Sequence, residues 1–393
     1  MTRARVVGGV AALVVVLAGC GESDPLTLPP RETSVTTAEP ASGDSVVPAT
    51  GAPGSSTSSS APVVVTTIAS ATEWVPATAN LAGMAAECGT LSIVTADPDR
   101  DVVIAGVPLN GLFQSVDGSP TWEPLGTGSG SATIRNRTSS ITFDPTDDAV
   151  FWQSGNYTGP GAYRTTDGGS TFTEMGDITH ADALSVDLSD PEHQTMLVGK
   201  HEQPILYRST DGGDTWDDLA ANLPPGIGYP AFPLVLDAQT HLLGTYSGAA
   251  SGIYRTVDGG TTWTQVYDGA VDGIPLLTSD GRIYWIPVNG GSIIESSDRG
   301  ETWVTIAGPF DATATGVLEL PDGRLVSLAS GHIALSDATG QVWQSVGPEL
   351  PYEPTGFTYA PLRNAFYLWR AECGAGTVPV AADAIMRLDI DLG

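Results

Sequence analysis

Basic residues are scarce in this sequence, and lysine is almost absent. Lys200 is the single lysine, and 16 basic residues stand against 45 acidic ones, so the formal net charge is −29. A surface this acidic repels nucleic acid and anionic lipid headgroups, and we therefore expect no nucleic-acid partner. The charge suits solubility outside the cell, with an acidic docking surface as the alternative.

Motifs for metals and cofactors are also missing. The five histidines are dispersed, no His/Cys cluster has ligand spacing, and no phosphate loop, nucleophile elbow or dinucleotide fingerprint occurs. We predict no metal and no cofactor. The 47 glycines and 29 prolines, against only 8 phenylalanines and 5 methionines, favour many short strands joined by tight turns over long helices.

The first of only three cysteines lies at the end of an N-terminal export signal. Arg3 and Arg5 precede an apolar run, residues 6–18, that is too short to span a bilayer. The run ends in Leu-Ala-Gly-Cys20, which resembles the bacterial lipobox and implies cleavage before Cys20 and lipidation of its thiol. We predict a signal peptide over residues 1–19 and a lipid anchor at Cys20 that holds the protein on the extracytoplasmic side of the cell membrane. An ordinary secretory signal with a chance cysteine is the alternative.

Residues 20–71 are predicted to form a disordered tether. The sequence from residue 21 onward is rich in Ser, Thr, Pro, Ala and Gly and almost without aromatics, so it buries too little apolar surface to offset the entropy of ordering. Roughly 50 flexible residues have a root-mean-square reach of about 40 Å. Such a tether would hold a globular domain, residues 72–393, clear of the membrane.

One turn motif recurs through the rest of the chain, with the form Ser/Thr-x-Asp-x-Gly-x-Thr-Trp/Phe. A degenerate sixth copy, residues 336–343, has Ala338 at the aspartate position. The aligned positions lie 40 to 50 residues apart, a period typical of propellers and other stacked arrays. The aspartates of the five good copies are Asp117, Asp167, Asp211, Asp258 and Asp298.

Turn chemistry explains this motif without a catalytic role. Asp-Gly-Gly between two β-prone segments is a hairpin signal, since glycine accepts a positive φ. The aspartate can accept backbone N–H bonds across the turn, the hydroxyl adds a local bond, and the tryptophan supplies an apolar anchor. Equivalent residues spread around a ring cannot converge on one substrate, so we predict a structural role for these aspartates and no catalytic residues.

The motif resembles the Asp-box, or BNR, repeat of sialidases, sortilin-type receptors, xyloglucanases and photosystem II assembly-factor-like proteins, over about residues 72–391. A further hairpin precedes each copy, so each unit supplies four strands, A to D, as propeller blades do. We predict an all-β fold, a single seven-bladed β-propeller. The last blade lacks a strand D, and we expect an N-terminal strand beside Trp74 to complete it and close the ring.

The two remaining cysteines fit this closure. Cys88 would lie in the connection from the N-terminal strand to blade 1, and Cys373 between strands B and C of blade 7. Connections of these two kinds emerge on one face of a propeller, and an exported chain permits a disulfide. We predict a bond between Cys88 and Cys373, with two free thiols as the alternative.

The resemblance implies that ligands sit at the channel mouth, on the face opposite the turn motifs. The D–A and B–C connections emerge there, and several are long. The alternative is a solvated loop surface with internal salt bridges. The candidate residues on this face are Arg135, Arg137, Tyr157, His180, His201, Tyr229 and Arg370.

An enzyme of the sialidase type is the weaker interpretation. The sequence has no early Arg-Ile-Pro motif, and a carboxylate clamp would have to come from Arg135, Arg137 and Arg370. Xyloglucanase-like chemistry would need a cleft between two propellers. We expect a monomeric, surface-anchored binding or scaffold protein that presents one face to a glycan, a peptide or an envelope protein, with a divergent glycan hydrolase as the alternative.

Overall fold

Strand-forming runs separated by glycine-rich turns fold into a ring of small antiparallel sheets. The computed structural model describes residues 73–87, 91–128, 130–288, 292–306, 308, 316–371, 376–390 and 392. Within these residues, seven four-stranded sheets form the blades of a β-propeller, together with a separate two-stranded ribbon. The all-β, seven-bladed prediction is confirmed.

The first two strands precede blade 1, and blades 1 to 3 follow in order. The early strands are β1 (Val75–Pro76) and β2 (Ala85–Glu87). Blade 1 contains β3 (Ile93–Ala96), β4 (Val102–Val107), β5 (Gly111–Val116) and β6 (Glu123–Pro124). Blade 2 contains β7 (Arg137–Phe143), β8 (Phe151–Asn156), β9 (Ala162–Thr165) and β10 (Thr173–Glu174). Blade 3 contains β11 (Ala181–Val186), β12 (Met196–Lys200), β13 (Leu206–Ser209) and β14 (Asp217–Asp218).

Blades 4 to 7 complete the ring. Blade 4 contains β15 (Phe232–Val235), β16 (His241–Thr245), β17 (Gly252–Thr256) and β18 (Thr264–Tyr267). Blade 5 contains β19 (Val271–Leu277), β20 (Ile283–Pro287), β21 (Ile293–Ser296) and β22 (Val304–Ile306). Blade 6 contains β23 (Val317–Glu319), β24 (Leu325–Ala329), β25 (His332–Ser336) and β26 (Trp343–Val346). Blade 7 contains β27 (Gly356–Ala360), β28 (Ala365–Trp369) and β30 (Ile385–Asp389) with β1, while β29 (Thr377–Pro379) pairs with β2. Short 3₁₀ turns are Ala79–Leu81, Ser131–Thr133, Ala220–Asn222 and Pro361–Arg363.

The core lies between neighbouring blades. The second strand of each blade is buried along nearly its whole length, whereas the outer strands of blades 1, 2 and 3 are exposed. Trp152 of blade 2, for example, packs in one cluster with Met196 and Val198 of blade 3. Burial of apolar surface therefore holds each blade to the next one around the ring.

The turn motif forms a repeated network of hydrogen bonds in blades 2 to 5. In blade 4, Thr256 Oγ1 donates to Asp258 Oδ1 at 2.7 Å, and Thr262 donates its N–H to Oδ1 at 2.9 Å and its hydroxyl to Oδ2 at 2.7 Å. These bonds stabilise the ionised carboxylate and lower the pKa of Asp258 to about 2. The same pattern of bonds surrounds Asp167, Asp211 and Asp298.

A glycine is required inside this motif. Gly213 has a φ of +93°, and a Cβ there would lie 2.2 Å from Cε of Met175 in the preceding blade. A residue with a Cβ would be strained at this φ and would have to displace the end of the Met175 side chain, and the strained backbone accounts for the Gly in the repeat.

The first and sixth copies depart from the pattern. Asp117 has a φ of +51°, and in that turn it is Ser115 Oγ that donates to the carbonyl of Ser119 at 2.6 Å. In the sixth copy, Asp337 stands one position before Ala338, and its Oδ1 accepts the N–H groups of residues 339, 341 and 342. A carboxylate one residue earlier therefore reaches the turn amides of blade 6.

Arginine side chains link the blades on the face of the turn motifs. The guanidinium of Arg208 in blade 3 donates to the carbonyl of Gly259 in the motif of blade 4 at 2.6 Å, and Arg255 in blade 4 donates to the carbonyl of Arg299 in blade 5 at 3.1 Å. Three further arginines reach the next blade in the same way, namely Arg282, Arg324 and Arg363. A planar guanidinium donates in several directions at once, and an ammonium group does not reproduce this geometry.

The N-terminal strand closes the ring as predicted. Val75 and Pro76 of β1 pair with Arg387 and Met386 of β30, and β1 is the outer strand of blade 7. Trp74 directly precedes β1, the position that the motif tryptophan has before the outer strands of blades 3 to 5. The closing segment is also fixed to blade 1, because Trp122 Nε1 donates to the carbonyl of Ala77 at 2.9 Å.

The two-stranded ribbon was not anticipated from the sequence. Residues 85–87 pair with residues 377–379, and Glu87 lies opposite Thr377. Cys88 and Cys373 themselves lie outside the described residues. The ribbon brings together the described segments that flank them, so the predicted disulfide remains a proposal with a neighbouring contact in its favour.

We expect Cys88→Ser to lower the thermal midpoint of the oxidised protein. A bond that closes a loop of most of the domain restricts the unfolded chain and is worth about 2–4 kcal/mol. Scanning calorimetry with and without reductant measures the shift, and Cys373→Ser and the double variant serve as controls that should match Cys88→Ser. An unchanged midpoint in the oxidised protein would mean that the two thiols are free.

Candidate functional site

Three connections of blades 2 and 3 bring aromatic rings together on the face opposite the turn motifs. Tyr157 follows β8, His180 precedes β11, and His201 follows β12. The ring centroid of Tyr157 lies 5.2 Å from that of His201 and 6.4 Å from that of His180, with the planes nearly perpendicular. The structure therefore places three of the candidate residues in one cluster.

A carboxylate holds the imidazole of His201. Asp182, the second residue of β11, lies with Oδ1 2.7 Å from Nδ1 of His201, and Nε2 of His201 lies 3.1 Å from the hydroxyl of Tyr157. A proton on Nδ1 satisfies both contacts, because Nδ1–H then donates to Asp182 while Nε2 accepts the Tyr157 O–H. Asn156 Nδ2 donates a longer bond of 3.4 Å to the same oxygen of Asp182.

The backbone around this cluster is strained. Tyr157, His180 and Glu202 have φ values of +67°, +56° and +54°, in the left-handed region that residues with a Cβ rarely adopt. Such conformations concentrate at binding and catalytic sites, where the surrounding structure maintains them. Three of them around one group of rings mark this part of the face.

A second aromatic group lies on blade 4. The ring centroids of Tyr229 and Tyr246 are 5.9 Å apart, and those of Phe232 and Tyr246 are 6.0 Å apart. Burial raises the pKa of Tyr246, and the negative charges of Asp182, Asp272 and Glu202 raise it further. The aromatic group of blade 4 therefore lies within the electric field of carboxylates from blades 3 and 5.

Asp272 is the second residue of β19, the inner strand of blade 5, at this mouth, as Asp182 is of β11 in blade 3. Burial raises the pKa of Asp272, although the residue keeps an exposed surface. A group at a channel mouth can be surrounded by protein atoms and still touch solvent, which accounts for both observations. Its carboxylate accepts one hydrogen bond, from the N–H of Gly273 at 2.9 Å.

The three candidate arginines do not lie on one blade. Arg135 is exposed just before β7, and Arg137 in β7 is half-buried and lies opposite Asn156 of β8. Arg370 follows β28 in blade 7, pairs with Asp383 at 2.6 Å, and stacks over the ring of Tyr352 at 5.0 Å. Blade 1 separates Arg370 from the other two, which does not favour a three-arginine clamp for a carboxylate.

Sequence reasoning missed Asp182, Tyr246 and Asp272. Each aspartate is the second residue of an inner strand, Asp182 of β11 and Asp272 of β19. Tyr246 directly follows β16, the second strand of blade 4. Their places along the predicted strands would have identified them. Each inner strand starts at the mouth, after a D–A connection, and each B–C connection also lies on that face.

The described part of the chain holds neither a cluster of metal-binding side chains nor a membrane-spanning helix. No group of three or more His, Cys, Asp or Glu side chains there is arranged to hold a metal ion. None of its helices has the length and apolar character needed to cross a membrane.

Comparison with known proteins reveals similarity of fold. No protein-family profile matches the sequence, and neither does any curated protein sequence. The GH74 enzyme of Niastella koreensis is 18% identical, with 77% of this chain and 55% of that chain covered and a TM-score of 0.55. A streptogramin B lyase is 11% identical, with 81% and 98% covered and a TM-score of 0.57. A YCF48 structure with bound D1 peptide is 16% identical, with 68% and 95% covered and a TM-score of 0.44.

The chain spans about half the length of the GH74 enzyme. At identities of 18% and below, the similarity extends to the architecture and not to an activity. The chain is similar in fold to β-propeller proteins that include a glycoside hydrolase and a lyase.

Proposed function

We propose that the protein is a lipid-anchored, extracytoplasmic binding protein that presents the mouth of its propeller to a glycan. One observation carries the proposal: two groups of aromatic rings, around Tyr157 and around Tyr246, lie on one face beside carboxylates and an imidazole. Aromatic rings that offer one apolar side and one polar end, next to a few polar groups, are typical of ligand sites.

A glycan matches this surface better than a peptide does. Tyrosine rings offer flat apolar faces for the C–H sides of sugar rings, while the carboxylate of Asp182 supplies an acceptor for hydroxyls. A peptide that adds to a sheet needs an open strand edge. The inner strands of the ring pack against one another at the channel, and the outer strands of blades 1 to 6 are only two to four residues long.

The location rests on the sequence. The lipobox-like segment before Cys20 and the tether, residues 20–71, motivate an anchor that holds the face away from the membrane. A binding face carried in this way would contact envelope polymers.

A glycan hydrolase is the second candidate, and the Asp182–His201–Tyr157 chain of hydrogen bonds favours it. A carboxylate that orients an imidazole toward a hydroxyl is an arrangement used in acid–base catalysis. Release of reducing ends from a bound glycan, lost in His201→Ala, would establish hydrolysis. Recovery of the intact oligosaccharide after long incubation would establish binding without turnover.

We expect Tyr229→Ala and Tyr157→Ala each to weaken glycan binding by about 3- to 10-fold, since an aromatic contact contributes about 0.5–1.5 kcal/mol. The full-length protein in detergent is screened on a glycan array, and the best ligand is titrated by calorimetry. Tyr359→Ala, on the opposite face at the end of β27, is the matched control and should bind as the parent does. If no glycan binds, or if Tyr359→Ala weakens binding as much, the proposed face is wrong.

A further inference from the structure

We propose that the joint between blades 2 and 3 binds the carboxylate of an acidic sugar at the channel mouth, so that the ligand is a glycan that contains uronic acids. This inference rests on the proposed glycan-binding function and narrows its ligand class. We call the site the basic joint, and it consists of Arg137, Tyr157, Lys200 and His201.

Most basic side chains in the described part of the chain already have a structural partner. Arg164 stacks over the indole of Trp152. The arginines that lie within ion-pair distance of a carboxylate are Arg100, Arg208, Arg255, Arg282, Arg299, Arg324, Arg363, Arg370 and Arg387. The side chains of Arg135, Arg137 and Lys200 form no ion pair or hydrogen bond with any described residue. These three cations all belong to blades 2 and 3 at the mouth, so unpaired positive charge is concentrated at one place on an acidic protein.

Arg137 projects from blade 2 toward blade 3. It lies directly opposite Asn156 in the pairing of β7 with β8. Directly opposed residues of an antiparallel pair have their side chains on the same face of the sheet. Asn156 Nδ2 donates to Oδ1 of Asp182 in blade 3 at 3.4 Å, which identifies that face as the one toward blade 3. Arg137 is half-buried there.

Lys200 projects from blade 3 toward blade 2. It ends β12 and lies opposite Ala181 of β11. Ala181 packs in one cluster with Trp152 of blade 2, and so does Val198, which is two residues before Lys200 and on the same face of β12. The two cations therefore enter the same joint from opposite sides, and no described carboxylate lies within ion-pair distance of either one.

Aromatic rings border the two cations. Tyr157 directly follows Asn156, the cross-strand partner of Arg137, and His201 directly follows Lys200. The ring centroids of Tyr157 and His201 lie 5.2 Å apart, with an angle of 76° between the planes. A ligand at the basic joint would therefore contact a tyrosine ring and two cations at once.

The nearby carboxylates are held by the imidazole and not by the cations. Oδ1 of Asp182 lies 2.7 Å from Nδ1 of His201, and Oε1 of Glu202 lies 3.8 Å from Nε2 of the same ring. The guanidinium of Arg137 and the ammonium group of Lys200 thus stay available to a ligand. Charges elsewhere on the acidic surface are largely screened beyond about 8 Å at physiological ionic strength.

A uronic acid combines the two features that the basic joint would recognise. Its carboxylate is attached directly to a pyranose ring, so the negative charge and the apolar C–H face of the sugar lie within one residue. A guanidinium and an ammonium group bind a carboxylate through charge-assisted hydrogen bonds, and a tyrosine ring packs on the sugar face. A phosphate group in a polyol phosphate chain has no ring attached to it and would use the cations alone.

The test compares two oligosaccharides that differ in charge. The tetramer of α-1,4-linked galacturonate and its methyl ester are titrated by calorimetry into the full-length protein in detergent. We expect the acid to bind at least about 10-fold more tightly than the ester, because only the acid carries carboxylates that pair with the cations.

Arg137→Gln and Lys200→Gln each remove one cation of the basic joint. We expect each variant to weaken binding of the galacturonate tetramer about 5-fold or more and to leave binding of the ester unchanged. Arg387→Gln on blade 7 is the matched control, because it changes the net charge equally and removes an arginine that already pairs with Asp389. The control should bind both tetramers as the parent does. Circular dichroism verifies that the three variants are folded.

The remaining outcomes separate the inference from the proposed function. Equal binding of the acid and the ester, or Arg137→Gln and Lys200→Gln variants that behave like Arg387→Gln, would overturn the acidic-sugar site and leave glycan binding intact. A tetramer of glycerol phosphate that binds more tightly than the galacturonate tetramer, and loses affinity in both variants, would assign the basic joint to phosphate and overturn the inference. Absence of binding to both sugar tetramers and to every glycan on the array would overturn the proposed function itself.

Discussion

Arg363→Ala is expected to lower the free energy of unfolding by about 3–5 kcal/mol, because it leaves buried partners unpaired at the junction between blades 7 and 1. The side chain of Arg363 is only 3% exposed. Its guanidinium pairs with the Asp101 carboxylate, donates to the Ser115 carbonyl at 2.7 Å and reaches the Ser115 hydroxyl at 3.1 Å. It also donates to the hydroxyl of Tyr367 in its own blade at 3.1 Å. Urea unfolding followed by tryptophan fluorescence measures the loss.

Two other arginine variants test whether the loss of stability comes from the buried position of Arg363 and from the planar arrangement of its donors. Arg387→Ala removes an exposed pair with Asp389 inside blade 7 and should cost less than about 1 kcal/mol. Arg363→Lys keeps the charge but not the planar arrangement of donors, and we expect it to remain clearly less stable than the parent. A loss in Arg363→Ala no larger than that in Arg387→Ala would show that the junction does not depend on this side chain.

The blades could be predicted because each is specified locally. The hydrogen-bonding groups of a turn motif lie within a few residues of one another, so each copy folds on its own. The number of copies along the sequence therefore indicates the number of blades around the ring. The absence of a motif after β30 was equally informative, since an unpaired outer edge had to be covered from elsewhere. The similarity of residues 72–83 to residues 214–226, with Trp74 at the position of Trp216, identified the covering segment.

Contacts between distant segments were not predictable in the same way. The ribbon formed by β2 and β29 joins three-residue strands with no alternating pattern, nearly the whole domain apart in sequence. The bonds of Arg208 and Arg255 to the next blade depend on the blade spacing, which no local pattern encodes. In the sixth copy, alignment of Ser336, Gly340 and Trp343 with the other copies placed Ala338 at the aspartate position, whereas the carboxylate of Asp337, one residue earlier, accepts the turn N–H groups.

The candidate site was predicted in part. Topology assigned Tyr157, His180 and His201 to one face, and the structure brings their rings together. The carboxylates at the starts of the inner strands were missed, because an acidic residue in an acidic chain carries little information until its neighbours are known. What distinguishes Asp272 is the surrounding protein that raises the pKa of its carboxyl, which only the folded chain reveals.

Deletion of residues 72–81 is expected to abolish the folded state of the whole domain. The deletion removes β1 and leaves β30 as an unpaired apolar edge. It also removes Leu81, which is fully buried in the core between blades 7 and 1, and the carbonyl of Ala77 that accepts the Trp122 indole N–H. Together these losses exceed the marginal stability of a domain, about 5–15 kcal/mol. Circular dichroism, size-exclusion chromatography and limited proteolysis would report the loss.

A deletion of equal length in the tether and a rescue experiment make this result specific. Removal of residues 50–59 should leave the thermal midpoint unchanged, because we predict a disordered tether there, and a disordered segment would contribute no packing to the ring. A synthetic peptide of residues 72–87, added during refolding of the deleted chain, should restore the native spectrum, since a strand can complete an open sheet edge in trans. Restoration by this peptide, but not by one with Asn80 and Leu81 replaced by alanine, would show that closure depends on the contacts of the segment with blade 1. A deleted chain that keeps the parent midpoint would show that six complete blades and three strands of the seventh hold the ring without it.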